Sequence, residues 1–127
     1  MARLEDYRLI TGKGKFTANI KPSKALVVKF LRTPIARGNI LSIDISTAKT
    51  LPGVVCIFTA EDMASDGITH MLDTSNPARD DGGTIVKPRR PILNSYEIKH
   101  LGEPVAMVIA ETTEQADDAI EAINFNY

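Results

Sequence analysis

A chain of 127 residues with 43% hydrophobic residues has the size and composition of one globular domain. Its formal net charge of -1 excludes the broad basic field that non-specific nucleic-acid binding requires. Its single cysteine, Cys56, excludes an internal disulfide, and no apolar stretch approaches the roughly 20 residues that cross a bilayer. The charged N-terminus also lacks the apolar centre of a secretion signal. We therefore predict one domain over residues 1–127, in the cytoplasm, without nucleic-acid or membrane partners.

The first 22 residues have neither a period of two nor one of 3.6, and Gly12 and Gly14 interrupt them. This pattern predicts an extended arm with a tight turn. The two glycines suggest a phosphate-binding loop, but the motif length, the preceding strand and the following helix of such a loop are missing. A simple turn is the preferred interpretation.

Two strands are predicted next. Residues 25–31 are almost continuously apolar and end before Pro34, which is typical of a strand covered on both faces. Residues 39–45 partly alternate apolar and polar side chains, which predicts a half-buried strand. Ser46 then has the side chain to cap a short helix through Leu51.

Residues 54–58 form a third apolar run, predicted as a buried strand, and Cys56 within it is expected to be a buried, inert thiol. Thr59 can cap a helix whose first turn contains Glu61 and Asp62. Residues 65–91 are rich in glycine, proline, asparagine and aspartate, and they predict a long loop. Loops of this length are usually functional or mobile, so this one is a candidate partner contact.

The last part of the chain contains the clearest signals. Residues 97–100 predict a short strand and residues 105–110 a central one. Thr112 and Gln115 have the spacing of a capping box, and the apolar residues that follow recur at helical spacing, namely Ala116, Ala119, Ile120 and Ile123. Strands that pair over long distances, with helices between only some of them, indicate an α+β fold.

No catalytic, cofactor-binding or metal-binding residue is assigned. His70 and His100 stand 30 positions apart without a further ligand at metal spacing. The acidic residues Asp73, Asp80 and Asp81 lack the spacing of a calcium loop. The pairs Glu61-Asp62 and Asp117-Asp118 are adjacent and point apart on a helix, and Cys56 has no recognisable histidine base.

Four segments in order resemble one known domain. They are the N-terminal run from Arg3 to Gly14, the tripeptide Arg32-Thr33-Pro34, the run Leu51-Pro52-Gly53-Val54-Val55 with Thr59-Ala60-Glu61-Asp62, and the run Gly102-Glu103-Pro104-Val105-Ala106 with Ala116-Asp117-Asp118-Ala119. The chain resembles the N-terminal α/β-hammerhead domain of the molybdopterin-binding large subunit in the xanthine dehydrogenase, aldehyde oxidase and carbon monoxide dehydrogenase family. The resemblance implies a mixed β-sheet, two main helices and a protruding β-structure.

The same resemblance implies where the chemistry lies. A molybdopterin-type molybdenum cofactor, iron-sulfur clusters and FAD would be held by partner domains or chains, and the single cysteine cannot hold a cluster. This chain would contact the cofactor-binding portion of the large subunit and form part of the substrate entrance. The possible interface residues are Arg3, Glu5, Asp6, Arg8, Arg32, Gly102 and Glu103.

Two features weaken the proposed interface. Glu103 and Gly102 are also explained by a tight turn before a strand, without any function. After Arg32 and Pro34 the chain departs from the family pattern, because two histidines and an arginine are replaced between Ile35 and Asn39.

Two functions are therefore considered. The first is a non-catalytic hammerhead domain or split subunit of a molybdenum hydroxylase. The alternative is a free-standing binding module that retains the fold without redox function. A large exposed apolar patch would favour the first, since a domain that packs on a partner must present one.

Overall fold

The computed structural model describes residues 4–20, 22–68, 70–71, 81–83 and 90–127. Its α-helices are α1 (Asp6–Ile10), α2 (Ala60–Ser65) and α3 (Thr113–Glu121). Its strands are β1 (Val27–Arg32), β2 (Gly38–Asn39), β3 (Ser42–Asp44), β4 (Val54–Thr59), β5 (Glu97–Ile98), β6 (Pro104–Ala110) and β7 (Asn124–Asn126). Short 3-10 turns lie at Thr17–Asn19 and Ala48–Thr50.

The main sheet has three strands in the order β1-β6-β4, so β6 is central, as predicted. Two smaller sheets pair β2 with β5 and β3 with β7. All four strand pairings among the described residues are antiparallel, whereas the resemblance implied a mixed sheet. The helices and strands together confirm the α+β class.

One face of the main sheet, here called the inner face, carries the core. The register of β1 and β6 pairs Val27 with Ala110, Lys29 with Val108 and Leu31 with Ala106. Helix α3 and the turn Ala48–Thr50 cover this face. The contact is formed mainly by alanines with no exposed surface, and such small side chains let a helix approach a sheet closely; they are Ala48, Ala106, Ala110, Ala116 and Ala119.

The opposite face of β1 was predicted to be covered and is not. The strand alternates half-buried and exposed residues, and Val28 and Phe30 remain 48% and 37% exposed. The composition of β1 suits burial on both faces, but α3 covers only the inner one.

The interpretation of residues 39–45 as one strand was wrong. They form β2 and β3, because Asn39 pairs with β5 while Ser42 pairs with β7. The helix expected from Ser46 is only the 3-10 turn Ala48–Thr50, and the Ser46 N–H donates to Asp44 Oδ1 at 2.9 Å. The chain thus makes an Asx turn at Asp44 followed by a single 3-10 turn, and no α-helix capped by Ser46.

The arm is also not simply extended, because α1 forms within it. The Leu9 N–H donates to the Glu5 carbonyl at 3.0 Å. Leucine and arginine favour helix, and Asp6 in the first turn and Arg8 in the last complement the helix dipole. Five residues are too few to reveal a helical period in sequence.

The long loop predicted for residues 65–91 lies partly outside the described residues. Where it is described, the Met71 N–H donates to the Arg90 carbonyl at 2.9 Å.

The capping box of α3 is confirmed. The Thr112 N–H donates to Gln115 Oε1 at 3.0 Å, and the Gln115 N–H donates to Thr112 Oγ1 at 3.3 Å. Gly53 lies beneath this cap at φ +78°, where a Cβ would come within 2.1 Å of Gln115 Cδ. A side chain at Gly53 would therefore displace the cap as well as strain the turn.

We predict that Ile120→Ala destabilises the domain by about 2 kcal/mol, at the lower end of the range for such truncations, because Ile120 is only partly buried against the core. Thermal unfolding checks this, with Asp118→Ala as the exposed control on the same helix. Asp117 is a poorer control because its carboxylate pairs with Lys29 Nζ at 2.5 Å. A melting temperature unchanged by Ile120→Ala would show that the buried face of α3 is assigned incorrectly.

Candidate functional site

A cluster of buried polar side chains lies where β1 ends and β6 begins. Thr33 is 2% exposed, and Asn94 and Glu103 are each 5% exposed. Buried polar groups must be hydrogen-bonded, and among the described residues no buried side-chain polar atom lacks a partner. We call these three residues and the turn from Lys99 to Gly102 the polar corner.

Thr33 joins the end of β1 to the turn before β6. Its N–H donates to the Glu103 carbonyl at 2.9 Å, and its hydroxyl accepts from the Glu103 N–H at 3.0 Å. The same hydroxyl donates to the His100 carbonyl at 3.1 Å, and the Thr33 carbonyl accepts from the Gly102 N–H at 2.9 Å. One threonine therefore fixes both strands of the corner.

The Glu103 carboxylate faces its own turn. Its Oε2 accepts from the Lys99 N–H at 2.9 Å, and its Oε1 lies 4.0 Å from the exposed His100 Nε2. This geometry accounts for Glu103 as the residue that closes the turn into β6, which is the structural alternative considered from the sequence.

Asn94 completes the corner. Its N–H donates to the Pro104 carbonyl at 2.8 Å, its Nδ2 donates to the Glu97 carbonyl at 2.6 Å, and its Oδ1 accepts from the Tyr96 N–H at 3.0 Å. Asn94 was not identified from the sequence, and Thr33 was identified only as part of a motif. An asparagine two residues before a tyrosine in a turn gives too little local signal to reveal a buried role.

Arg32 and Gly102 also meet at this corner. Arg32 Nη1 donates to the Gly102 carbonyl at 2.8 Å, and the guanidinium carbon lies 5.6 Å from the centre of the Phe30 ring. Gly102 has φ +78°, a conformation that a side chain would strain. The structure thus brings together Arg32, Gly102 and Glu103 of the predicted interface residues.

The other predicted interface residues lie in the arm. Glu5, Asp6 and Arg8 are on or next to α1, which contains no buried residue, and Arg3 lies outside the described residues.

A continuous apolar surface extends from the polar corner across the main sheet. The register aligns Phe30, Met107 and Phe58 in one row and Val28, Ile109 and Cys56 in the next. We call these six residues the outer face. Cys56 is half-buried there, rather than buried as predicted, because β4 is an edge strand with α3 on its other side.

Asp62, of the adjacent pair Glu61-Asp62, has a structural role. The N–H and hydroxyl of Thr59 donate to Asp62 Oδ2 at 2.6 Å and 2.8 Å, and these hydrogen bonds lower the pKa of the Asp62 carboxyl. The ionised carboxylate stabilises the start of α2 above its unfolded pKa, and this stabilisation is lost as pH falls through its lowered folded pKa. A cleft of about 370 Å³ borders this helix start, between β3 and α2, with Lys49 and Glu61 in its wall.

The candidate metal residues remain dispersed where they are described. Within the described ranges no three histidine, cysteine or acidic residues are grouped as metal ligands, while Asp73 and Asp80 lie outside those ranges. The helices of the same ranges include none long and apolar enough to cross a bilayer. The described geometry is suited to packing and to carboxylate recognition by Arg32.

We predict that Glu103→Ala destabilises the domain by about 1 to 3 kcal/mol, because it removes the buried carboxylate that accepts from the Lys99 N–H. Chemical denaturation checks this, with the exposed Glu111→Ala as control. If the Glu103→Ala variant were as stable as the control but no longer bound a partner protein, Glu103 would act at an interface and would not stabilise the turn.

Comparison with known proteins gives consistent matches over the chain. Residues 11–127 match the family described as aldehyde oxidase and xanthine dehydrogenase, a/b hammerhead domain. The nicotine 6-hydroxylase large subunit of Paenarthrobacter nicotinovorans is 32% identical over 95% of the chain, and the carbon monoxide dehydrogenase large chain of Afipia carboxidovorans is 31% identical over 98%. The chain spans 14% of the length of each of these relatives.

Solved structures agree with the sequence matches. Quinoline 2-oxidoreductase from Pseudomonas putida 86 aligns with a TM-score of 0.84 at 31% identity, over 100% of this chain and 15% of that one. A Cu,Mo-CO dehydrogenase aligns with a TM-score of 0.78 at 31% identity, over the same shares. The chain therefore belongs to the aldehyde oxidase and xanthine dehydrogenase family and has the fold of its α/β-hammerhead domain.

Proposed function

We propose that this chain is the non-catalytic hammerhead domain, or a separately encoded hammerhead subunit, of a molybdenum hydroxylase. It supplies packing surface for the cofactor-binding portion of the large subunit and part of the substrate entrance. The observation that carries the proposal is the outer face, an apolar sheet surface with Val28 and Phe30 exposed and its other four residues half-buried, in a chain that belongs to this family.

The main sheet is apolar in composition on both of its faces. A strand that is apolar on both faces is typical of a sheet with a layer on each side. Here the inner face has α3, whereas Val28 and Phe30 on the outer face remain 48% and 37% exposed. Contiguous exposed apolar surface of this kind marks an interaction site. Interfaces that stay permanently assembled are more apolar than transient ones, so the outer face favours the domain of an enzyme over a free-standing binding module.

The arm supports the same proposal. Its apolar side chains are exposed, and burying them would stabilise a complex by roughly 25 cal/mol per Å² of apolar area. The exposed fractions are 101% for Leu4, 70% for Tyr7, 81% for Ile10, 62% for Phe16 and 67% for Ile20. We propose that the arm, with Arg3, Glu5, Asp6 and Arg8, lies against the partner.

The polar corner is proposed to border the substrate entrance. The family resemblance implies that the loop before β6 comes near the substrate entrance. Arg32, Gly102 and Glu103 meet at that loop. The rigid hydrogen bonding of the corner would hold the edge of an entrance in place, and no residue of it is assigned a catalytic role.

The cofactors are proposed to reside elsewhere in the assembly. A molybdopterin-type molybdenum cofactor, iron-sulfur clusters and FAD would be held by partner domains or chains. The single cysteine of this chain supports that division, because an iron-sulfur cluster needs several thiolates. The cytoplasmic location stays a prediction from sequence.

We predict that the purified chain contains no molybdenum, iron or flavin and oxidises no aldehyde, purine or carbon monoxide. We also predict that, co-expressed with its neighbouring genes, it elutes with a molybdenum-containing partner in a fixed ratio. Metal analysis, flavin absorbance and size-exclusion chromatography check both parts.

The matched variants are Phe30→Ser on the outer face and Asp118→Ser on the exposed side of α3. Phe30→Ser should abolish co-elution, and Asp118→Ser should leave it intact. Stoichiometric molybdenum or iron in the isolated chain would contradict the non-catalytic role. A monomer that co-elutes with no such partner would favour the free-standing module.

A further inference from the structure

We propose that the outer face docks one apolar segment of the partner that carries an aspartate or glutamate, and that this carboxylate binds Arg32. The inference rests on the proposed function, since it specifies the chemistry of the partner on that surface. It follows from the position of one guanidinium at the end of an apolar sheet face.

Arg32 is held in place before any partner binds. Its Nη1 donates to the Gly102 carbonyl at 2.8 Å, and its guanidinium lies over the Phe30 ring at 5.6 Å. Gly102 is fixed in turn by the bond from its N–H to the Thr33 carbonyl at 2.9 Å. A side chain already held in one geometry loses less entropy on binding, so this arrangement suits recognition.

The guanidinium retains capacity for an anion. Of its five N–H donors, the Gly102 carbonyl occupies one. The planar fork of an arginine matches a carboxylate with two parallel hydrogen bonds. A partner that covers Phe30 would remove water from Arg32 as well, and a charge taken out of water must be paired. A segment that docks on this face without a carboxylate would therefore bind weakly.

Charge on the outer face itself decides against a second copy of this chain. The six outer-face residues include no carboxylate, and Arg32 is the one charged residue of β1 on the same side of the sheet, since Lys29 faces α3. Two copies that docked face to face would bury two guanidinium groups without an acid supplied by either outer face. The complementary surface must belong to a different sequence.

The strand geometry sets the spacing that the partner must match. Val28, Phe30 and Arg32 follow one another at every second residue of β1, which places them about 7 Å apart. The partner therefore needs two apolar groups at that spacing, over Val28 and Phe30. Its carboxylate must lie about 7 Å beyond the group over Phe30, next to Arg32.

The test is photo-crosslinking in the native host. The photoreactive residue p-benzoylphenylalanine replaces Val28, the most exposed residue of the outer face, and replaces Asp118 in the control. The cross-linked peptide is identified by mass spectrometry. We expect cross-linking from position 28 to a molybdenum hydroxylase chain, within a segment that contains an aspartate or glutamate, and none from position 118.

Arg32 is then varied in the chain that carries the cross-linker. Arg32→Gln should lower the cross-link yield about tenfold, because the partner's carboxylate is left buried without its counter-charge. Arg32→Lys should lower it less, since it keeps the charge and loses the fork. Thermal melts of both variants show whether they fold. Arg32→Glu combined with replacement of the partner's acid by arginine should restore the yield.

The outcomes separate the two proposals. Cross-linking to a molybdenum hydroxylase chain that is unaffected by Arg32→Gln would overturn this inference and leave the proposed function standing. Cross-linking to a second copy of this chain, or none from position 28, would overturn both. Equal cross-linking from positions 28 and 118 would show that the outer face is not the docking surface.

Discussion

The packing of α3 against one face of a three-stranded sheet is the interaction on which the rest of the structure depends. Small side chains allow this close contact, because Ala106 and Ala110 of β6 pack with Ala116 and Ala119 of α3 and all four alanines are fully buried. The cap at Thr112 fixes where the helix begins, and Gly53 leaves the room that this cap requires. Because the sheet has a single helical layer, its second face is left to the solvent or to a partner.

The outer face and the polar corner are two consequences of the same strand arrangement. The corner uses hydrogen bonds to turn the chain from β5 into β6, and this turn places the Gly102 carbonyl where it holds Arg32. The arginine in turn lies over Phe30, the residue at which the apolar surface begins. The polar groups of the corner thus find their hydrogen-bond partners within the domain, whereas the apolar side chains of the outer face are not fully covered by it. That division is what a domain built to pack against a larger protein requires, and it agrees with the membership of the chain in the hammerhead family.

The sequence predicted those elements whose signal is local. The capping box at Thr112 and the apolar run of β6 were identified correctly, because both depend on residues within a few positions of one another. The division of residues 39–45 into β2 and β3 could not be predicted, since it depends on two partner strands that lie far away in sequence. The exposure of Phe30 was missed for a similar reason. An apolar run indicates that both faces of a strand are suited to burial, but it does not show whether the same chain contains the two layers that would bury them. Of the corner, Arg32 and Glu103 were found through family resemblance, and the buried role of Asn94 was not.

The central claim is that the outer face is open in the isolated chain and covered in the assembly. Cys56 is the single cysteine of the chain and lies on that face, so its rate of alkylation by iodoacetamide reports directly on the cover. The rate is measured for the isolated chain and for the co-expressed assembly, with the labelled Cys56 peptide quantified by mass spectrometry. The account predicts ready alkylation of the isolated chain and strong protection in the assembly. Equal rates in the two samples would contradict it.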